Sequence, residues 1–179
     1  MKALCALISF VIGLMAGPAL AASDTHCKSS EIDFFSCAIA GSNKVVSLCG
    51  NRDEGTNEIS WLQYRFGLIG HPEMIYPTAK HGSLDKFYGG RVYSRGSAYL
   101  QYDVWFHIGV YNYSVSAYST GDESEEIRVY VFHEKKYRSA SGKLIDIQGT
   151  LNCSQPSEKL MSRLGDLLPS LQPEPEIEN

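Results

Sequence analysis

The sequence predicts an all-β protein: an antiparallel meander of about eight strands that closes into a barrel or a sandwich, with a short C-terminal helix. Three observations support this fold class. Apolar and polar residues alternate over short runs, most clearly from Ala98 to Ile108. Turn-forming residues separate these runs at short intervals, and no helical period occurs before Pro156.

Each predicted strand is a short alternating run that ends at a turn. The runs Phe35 to Ile39 and Val46 to Leu48 flank Gly41-Ser42-Asn43, which predicts a hairpin. The same reasoning gives the remaining strands, at residues 61–66, 73–76, 98–108, 110–118, 127–132 and 144–153.

The C-terminal region differs in pattern from the β domain, which we assign to residues 22–155. In residues 156–171 leucines recur at helical spacing, which predicts an amphipathic helix that ends at Pro169. This helix is interpreted either as a lid packed on the end of the β domain or as an element that docks a partner. Residues 172–179 are rich in Pro and Glu and are predicted to be disordered.

The first 21 residues have the three parts of a secretory signal peptide. Lys2 is followed by an apolar run from Ala3 to Ala16 and by Ala19-Leu20-Ala21, which predicts cleavage after Ala21. An uncleaved membrane anchor is the alternative, although the run is shorter than the roughly 20 residues needed to span a bilayer. We therefore expect a periplasmic or secreted protein with no transmembrane segment after signal cleavage.

Charge argues against one class of partner. Removal of Lys2 with the signal peptide leaves 15 basic and 20 acidic side chains, a formal net charge of −5. A general nucleic-acid-binding protein would carry a basic field instead, so no nucleic-acid partner is expected.

Four cysteines remain after cleavage, and an even number in an exported chain predicts two disulfides. Three pairings of Cys27, Cys37, Cys49 and Cys153 are possible. Zinc binding is the competing interpretation, but the chain has no CxxC or HxxxH pair. In the predicted hairpin Cys37 and Cys49 point to opposite faces, which disfavours a bridge between them. The favoured pairing is therefore Cys27–Cys37 with Cys49–Cys153.

Motifs for catalysis are absent from the sequence. The five histidines are scattered, and there is no nucleophile elbow, phosphate-binding loop or paired-carboxylate motif. The sequence therefore predicts no catalytic residue, no metal ligand and no cofactor. A catalytic site assembled only in space is kept as an alternative, because such a site leaves no linear motif.

A candidate binding surface is indicated by the polar face of the clearest strand. A Trp and a Tyr alternate there with polar groups, a composition typical of recognition surfaces. A basic, glycine-rich loop precedes this strand and could steer a charged partner. The alternative is that the face packs under a loop or under the C-terminal helix. The predicted surface consists of Arg91, Arg95, Tyr99, Gln101, Asp103, Trp105 and His107.

Three short motifs resemble those of a group of short exported bacterial proteins of uncharacterised function. They are F-S-C at residues 35–37, K-V-V-S-L-C at 44–49 and L-Q-Y-R-F-G at 62–67. The resemblance implies a bacterial envelope origin and brings no site residue with it. In size, cysteine use and β content the chain also resembles periplasmic lysozyme inhibitors, although their inhibitory-loop motifs are not clearly present.

The expected function is that of a non-enzymatic binding protein with a protein partner in the cell envelope. An inhibitor or immunity-type protein for a cell-wall hydrolase fits this description. The alternatives are an envelope hydrolase with a spatially assembled site and a structural envelope protein that acts through its interactions.

Overall fold

The computed structural model describes residues 25–96, 98–120, 126–133, 147–154 and 158–173. They form two sheets that pack face to face as a sandwich and do not close into a barrel, which confirms the predicted fold class. The first sheet contains, in spatial order, β1 (Ile32–Ala38), β2 (Lys44–Arg52), β3 (Ile59–Leu68) and β4 (His71–Tyr76).

The second sheet has the spatial order β10-β5-β6-β7-β8-β9. All its neighbours are antiparallel except β10, which runs parallel to β5. Its strands are β5 (Tyr88–Ser94), β6 (Tyr99–Ile108), β7 (Tyr111–Ser119), β8 (Glu126–His133), β9 (Ile147–Asn152) and β10 (Gln172–Pro173). A single α-helix, α1 (Glu158–Leu167), precedes β10 within the described ranges.

Two of these strands were not expected from the sequence. β5 occupies the glycine-rich segment interpreted as a loop, and β10 occupies the first two residues of the segment predicted to be disordered. Gly89 explains why glycine suits β5, because a Cβ atom there would lie 2.9 Å from Leu168 and 3.3 Å from Leu171. The glycine lets the turn after α1 approach the strand. Residues 1–24 and 174–179, with the predicted signal peptide and most of the tail, lie outside the described residues.

The core is centred on aromatic rings from both sheets. Phe106 of β6 is fully buried and lies 5.0 Å from the ring of Tyr64 and 4.8 Å from that of Tyr76, between ring centroids. It also stacks on Tyr113 of β7 at 5.2 Å. Because one ring contacts residues of β3, β4 and β7, Phe106 fixes how the two sheets face each other.

Helix α1 belongs to this core. Its residues Leu164 and Leu167 are fully buried, and a Cβ atom on Gly165 would lie 3.4 Å from the ring of Tyr102. Tyr102 occupies the core side of β6, so the helix covers that side of the strand. A 3₁₀ turn at Leu168–Ser170 contains Pro169, where the sequence predicts that the helix ends.

The disulfides are Cys27–Cys49 and Cys37–Cys153, so the favoured pairing was wrong. Cys37 does face the core with Phe35, and Cys49 does point to the opposite face, as the hairpin pattern indicated. The error was in locating the partners. Cys27 lies on the outer side of the first sheet, towards which Cys49 points. Cys153 instead forms an isolated antiparallel β-bridge with Ile39, just after β1.

The outer side of the first sheet holds the segment that begins at Thr25. The imidazole of His26 lies 3.2 Å from the carbonyl oxygens of Val45 and Gly67. The hydroxyl of Ser36 lies 2.8 Å from those of both Thr25 and Ser47. Together with Cys27–Cys49, these contacts attach the N-terminal segment to β1, β2 and β3.

A buried ion pair completes this attachment. Arg65 donates to both oxygens of Glu31, at 2.6 and 3.0 Å, and Lys80 donates to one of them at 3.0 Å. Burial alone would raise the pKa of Glu31, but hydrogen bonds from Arg65, the Lys28 amide and Lys80 outweigh it and lower the pKa to about 2. Glu31 therefore remains ionised at neutral pH and holds its segment on the sheet.

Candidate functional site

The candidate site is the outer face of the second sheet, the side directed away from the core. In β6 the side chains of Val104 and Phe106 are fully buried in the core, so the alternate residues point outward. All five residues predicted on this strand therefore share one face. We call this surface the outer aromatic face. It consists of Tyr88, Tyr99, Gln101, Asp103, Trp105, His107, Asn112, Ser114, Ser116 and Tyr118.

Trp105 forms the aromatic centre of this face. Tyr88 lies directly opposite it on β5, and the two rings stack at 4.5 Å with an interplanar angle of 21°. The ring of His107 meets Trp105 edge-on at 5.0 Å. Such aromatic pairs contribute about 0.5–1.5 kcal/mol beyond their buried area, so the indole is held in one orientation.

Asp103 lies in a network of hydrogen bonds beside this stack. Gln101 donates to one carboxylate oxygen at 2.7 Å, and the hydroxyl of Ser116 donates to the other. Tyr99 in turn donates to the amide oxygen of Gln101. Burial raises the pKa of Asp103, and the hydrogen bonds from Ser116 and Gln101 act against that shift.

Small polar side chains of β7 lie beside the large residues of β6. Asn112, Ser114 and Ser116 are all buried although their strand positions face away from the core. The hydroxyls of Ser114 and Ser116 lie 3.1 Å apart, next to Asp103. The middle of the outer aromatic face is therefore a polar layer flanked by rings.

The far side of this face carries a group of charged and aromatic side chains centred on Glu126. Tyr118 and Arg128 both donate hydrogen bonds to Glu126, and the guanidinium of Arg128 lies 5.7 Å from the Tyr118 ring centroid. Burial and the hydrogen bond to Glu126 raise the pKa of Tyr118 to about 12. The antiparallel register of β7 and β8 places Glu126 directly opposite Tyr118.

One polar atom of this face has no partner among the described residues. The Nδ1 atom of His107 is buried there and makes no hydrogen bond to the part of the chain that is described. A buried ring nitrogen without a partner costs stability, because it has lost its hydrogen bond to water.

The two arginines of the predicted surface are not part of this face. Arg91 lies within β5 opposite Tyr102, and its guanidinium is 5.8 Å from that ring centroid. Since strand residues alternate, Arg91 points to the side opposite Tyr88 and Trp105. Arg95 is exposed in the turn between β5 and β6, close to the start of β6. Only Arg95 lies near the predicted strand face.

The C-terminal helix does not lie over Trp105. It contacts β6 through Tyr102 on the core side, whereas the interpretation of a buried face required it on the other side. Tyr88 was missed as a site residue, because no pattern in the sequence indicates which residue of a glycine-rich segment will face Trp105.

Asp103 and His107 do not form an assembled catalytic pair. Asp103 and His107 are four residues apart on one strand, about 13 Å along it, so they cannot exchange a proton directly. Within the described ranges no group of three or more His, Cys, Asp or Glu side chains could hold a metal ion. In the same ranges no helix is long and apolar enough to cross a membrane.

Comparisons with known proteins found no matching family model, no matching curated protein and no matching solved structure.

Proposed function

We propose that the mature chain is a non-enzymatic binding protein of the periplasm or the extracellular space, and that its outer aromatic face binds a protein partner in the cell envelope. The observation that carries the proposal is the stack of Trp105 on Tyr88, on a sheet face directed away from the core. Trp and Tyr dominate the binding energy of protein interfaces. The two disulfides suit an oxidising compartment.

The arrangement of the face favours tight binding over loose adhesion. The indole is held by Tyr88 and His107, and Asp103 is held by Gln101 and Ser116. Side chains that are already ordered lose little conformational entropy on association. An aromatic centre beside hydrogen-bonding groups is also the usual anatomy of a specific interface.

Within this proposal the partner is a cell-wall hydrolase, which the chain inhibits or against which it confers immunity. The resemblance in size, cysteine use and β content to periplasmic lysozyme inhibitors supports this partner class. The formal net charge of −5 expected after signal cleavage favours association with a basic partner.

A second function is favoured by one observation. The buried carboxyl of Asp103 has a raised pKa, which is a property of general acids in hydrolases. Both of its oxygens already accept hydrogen bonds, however, from Gln101 and Ser116. Turnover of peptidoglycan fragments that is lost in Asp103→Asn would favour an enzyme and overturn the binding proposal.

The test compares the two tryptophans of the chain. Immobilised mature protein is used to isolate its partner from envelope extract, and the dissociation constant is then measured for Trp105→Ala and Trp61→Ala. Trp61 lies on the first sheet beneath Lys80, whose Nζ is 3.8 Å from the ring centroid, so it is a matched control.

We expect Trp105→Ala to weaken binding about 30-fold, equivalent to about 2 kcal/mol, and Trp61→Ala to leave it unchanged. The purified partner should hydrolyse peptidoglycan more slowly in the presence of the chain. Equal affinities for the two variants would remove the outer aromatic face as the binding surface.

A further inference from the structure

Strand β5 is paired along its outer side only at its beginning. Tyr88 and Gly89 pair there with β10, in parallel register. From Gly90 to Ser94 the strand pairs with β6 on one side and, within the described ranges, with no strand on the other. We call residues 90–94 the open edge.

The open edge is also exposed to solvent. Residues 91–94 are all exposed. Tyr93, at 57%, has the highest exposed fraction among the large hydrophobic residues of the described chain, and Val92 follows at 49%. Apolar side chains are therefore presented where the strand has no neighbour.

The backbone of the open edge is oriented to accept a further strand. The carbonyl oxygen of Phe87 accepts a hydrogen bond from the amide of Gln172 at 3.4 Å, so it points to the outer side of β5. Arg91 and Tyr93 share the parity of Phe87 and direct their backbone N–H and C=O groups to the same side. An exposed edge with unpaired backbone groups is a template for another extended segment.

We propose that the open edge pairs with the open edge of a second copy of the chain, antiparallel and about a two-fold axis at Val92. Such an interface is closed, because each copy presents the same residues to the other. Val92 lies opposite Val92 of the second copy, and Gly90 lies opposite its Ser94. Arg91 lies opposite Tyr93 of the second copy, and this pair exchanges both of its backbone hydrogen bonds.

The side chains of the open edge are complementary to themselves in this register. Arg91 and Tyr93 lie on the same side of the sheet, and within one chain the guanidinium of Arg91 is 6.0 Å from the Tyr93 ring centroid. In the dimer each guanidinium also lies opposite the Tyr93 ring of the second copy, which adds a cation–π contact. On the other side of the sheet the two Val92 side chains cover each other, and Gly90 leaves room for Ser94.

A shift of the axis by one residue in either direction removes this complementarity. An axis at Arg91 places the two Arg91 side chains directly opposite each other. An axis at Tyr93 places Arg91 opposite Arg95 of the second copy. Like charges directly opposite each other destabilise a strand pair, so the axis at Val92 is favoured.

The axis is perpendicular to the sheet, because the two copies of β5 become neighbours in one continuous sheet. Both outer aromatic faces therefore lie on the same side of the dimer. The dimer does not depend on the proposed function. Where both hold, Trp105 is presented twice, and a partner attached to the envelope is bound with the avidity of two linked sites.

The first test is analytical ultracentrifugation of the mature protein at chain concentrations from about 1 µM to about 1 mM. A single strand pair is a small interface, so we expect a weak dimer whose fraction rises within this range. Tyr93→Arg places like charges opposite each other and should raise the dissociation constant about 10-fold or more. The double variant Arg91→Tyr/Tyr93→Arg exchanges the two members of the pair and should restore the dimer. Circular dichroism shows that the variants remain folded.

The second test is a disulfide between the two copies. Opposite residues of a non-hydrogen-bonded pair have Cα atoms about 4.5 Å apart, a distance that a disulfide can span. Val92→Cys should therefore form a covalent dimer under mild oxidation. Ser94→Cys is the matched control, since Ser94 is also exposed. The two Ser94 positions lie about 14 Å apart in this register, so this variant should not form the disulfide.

Three outcomes would contradict the dimer. A monomer at every concentration would overturn the proposal. Equal cross-linking of Val92→Cys and Ser94→Cys, or a double variant that fails to restore the dimer, would rule out the axis at Val92. Dimerisation only in a chain that is cut after Pro173 would also overturn the proposal, because the mature chain would then cover its own edge.

Discussion

The two disulfides differ in the length of chain that they close, and this difference predicts unequal effects on stability. Cys37–Cys153 joins residues 116 positions apart, whereas Cys27–Cys49 joins residues 22 apart. By loop-closure entropy the first contributes about 5 kcal/mol and the second about 3.5 kcal/mol. Removal of the long bridge should therefore cost about 1.5 kcal/mol more.

The perturbation is the double variant Cys37→Ala/Cys153→Ala, compared with Cys27→Ala/Cys49→Ala. The pairs are well matched, because each removes one buried cysteine (Cys37 or Cys49) and one half-buried cysteine. The local packing losses are therefore similar, and alanine avoids burying a hydroxyl group. The difference between the variants then reports loop closure.

The assay is equilibrium unfolding in urea, with the free energy of unfolding obtained by linear extrapolation. An equal or larger loss in Cys27→Ala/Cys49→Ala would refute the reasoning. The pairing itself can be checked independently, because trypsin cleaves after Lys28 and Lys44 and separates all four cysteines. Under non-reducing conditions peptide 29–44 should be linked to peptide 144–159, and peptide 45–52 to the peptide that ends at Lys28.

Three further predictions concern charged groups. Since the folded pKa of Glu31 lies below its usual value of 4.5, its stabilising contribution is complete above pH 4.5 and is lost as the pH falls towards 2. Glu31→Gln should cost about 3–5 kcal/mol at pH 7 and flatten the acid-unfolding profile in that window, as measured by circular dichroism. The pKa of Asp103 is shifted in the opposite direction, so ionisation of this carboxyl destabilises the fold. The variant Asp103→Asn should therefore unfold at an equal or higher urea concentration than the unchanged protein at pH 7. An unfolding free energy reduced by about 2 kcal/mol in this variant would contradict the prediction. Arg95→Ala should slow association with the partner in low salt but not in high salt, whereas Arg91→Ala should leave the association rate unchanged. Association rates are measured by surface plasmon resonance. Equal effects of the two variants would mean that both arginines steer the partner.

The sheet faces could be predicted from the sequence, and the contacts between distant segments could not. Alternation in β6 identifies the side chains that share a face with Trp105, because a strand has a period of two residues. It contains no information on which strand lies beside β6, so Tyr88 was missed. The same limit explains the disulfides, since parity gave the directions of Cys37 and Cys49 but not the segments that each one meets.

The three short motifs at residues 35–37, 44–49 and 62–67 have a structural explanation that the sequence alone did not provide. The outer side of the first sheet carries five residues of these motifs: Ser36, Ser47, Cys49, Gln63 and Arg65. They contact the N-terminal segment or the loop after β4, and Gln63 donates to the carbonyl of Pro77 at 2.9 Å. The motif residues therefore attach flanking segments to the sheet, while the candidate binding surface lies outside the motifs.

The bridge between Cys37 and Cys153 also determines what a protease can release. The loop that it closes contains every strand from β2 to β9. A single cut anywhere inside that loop breaks the backbone but leaves both pieces covalently joined, and the paired strands keep them aligned. The two disulfides suggest an oxidising, extracytoplasmic environment. A molecule whose backbone is cut once there keeps its outer aromatic face in place.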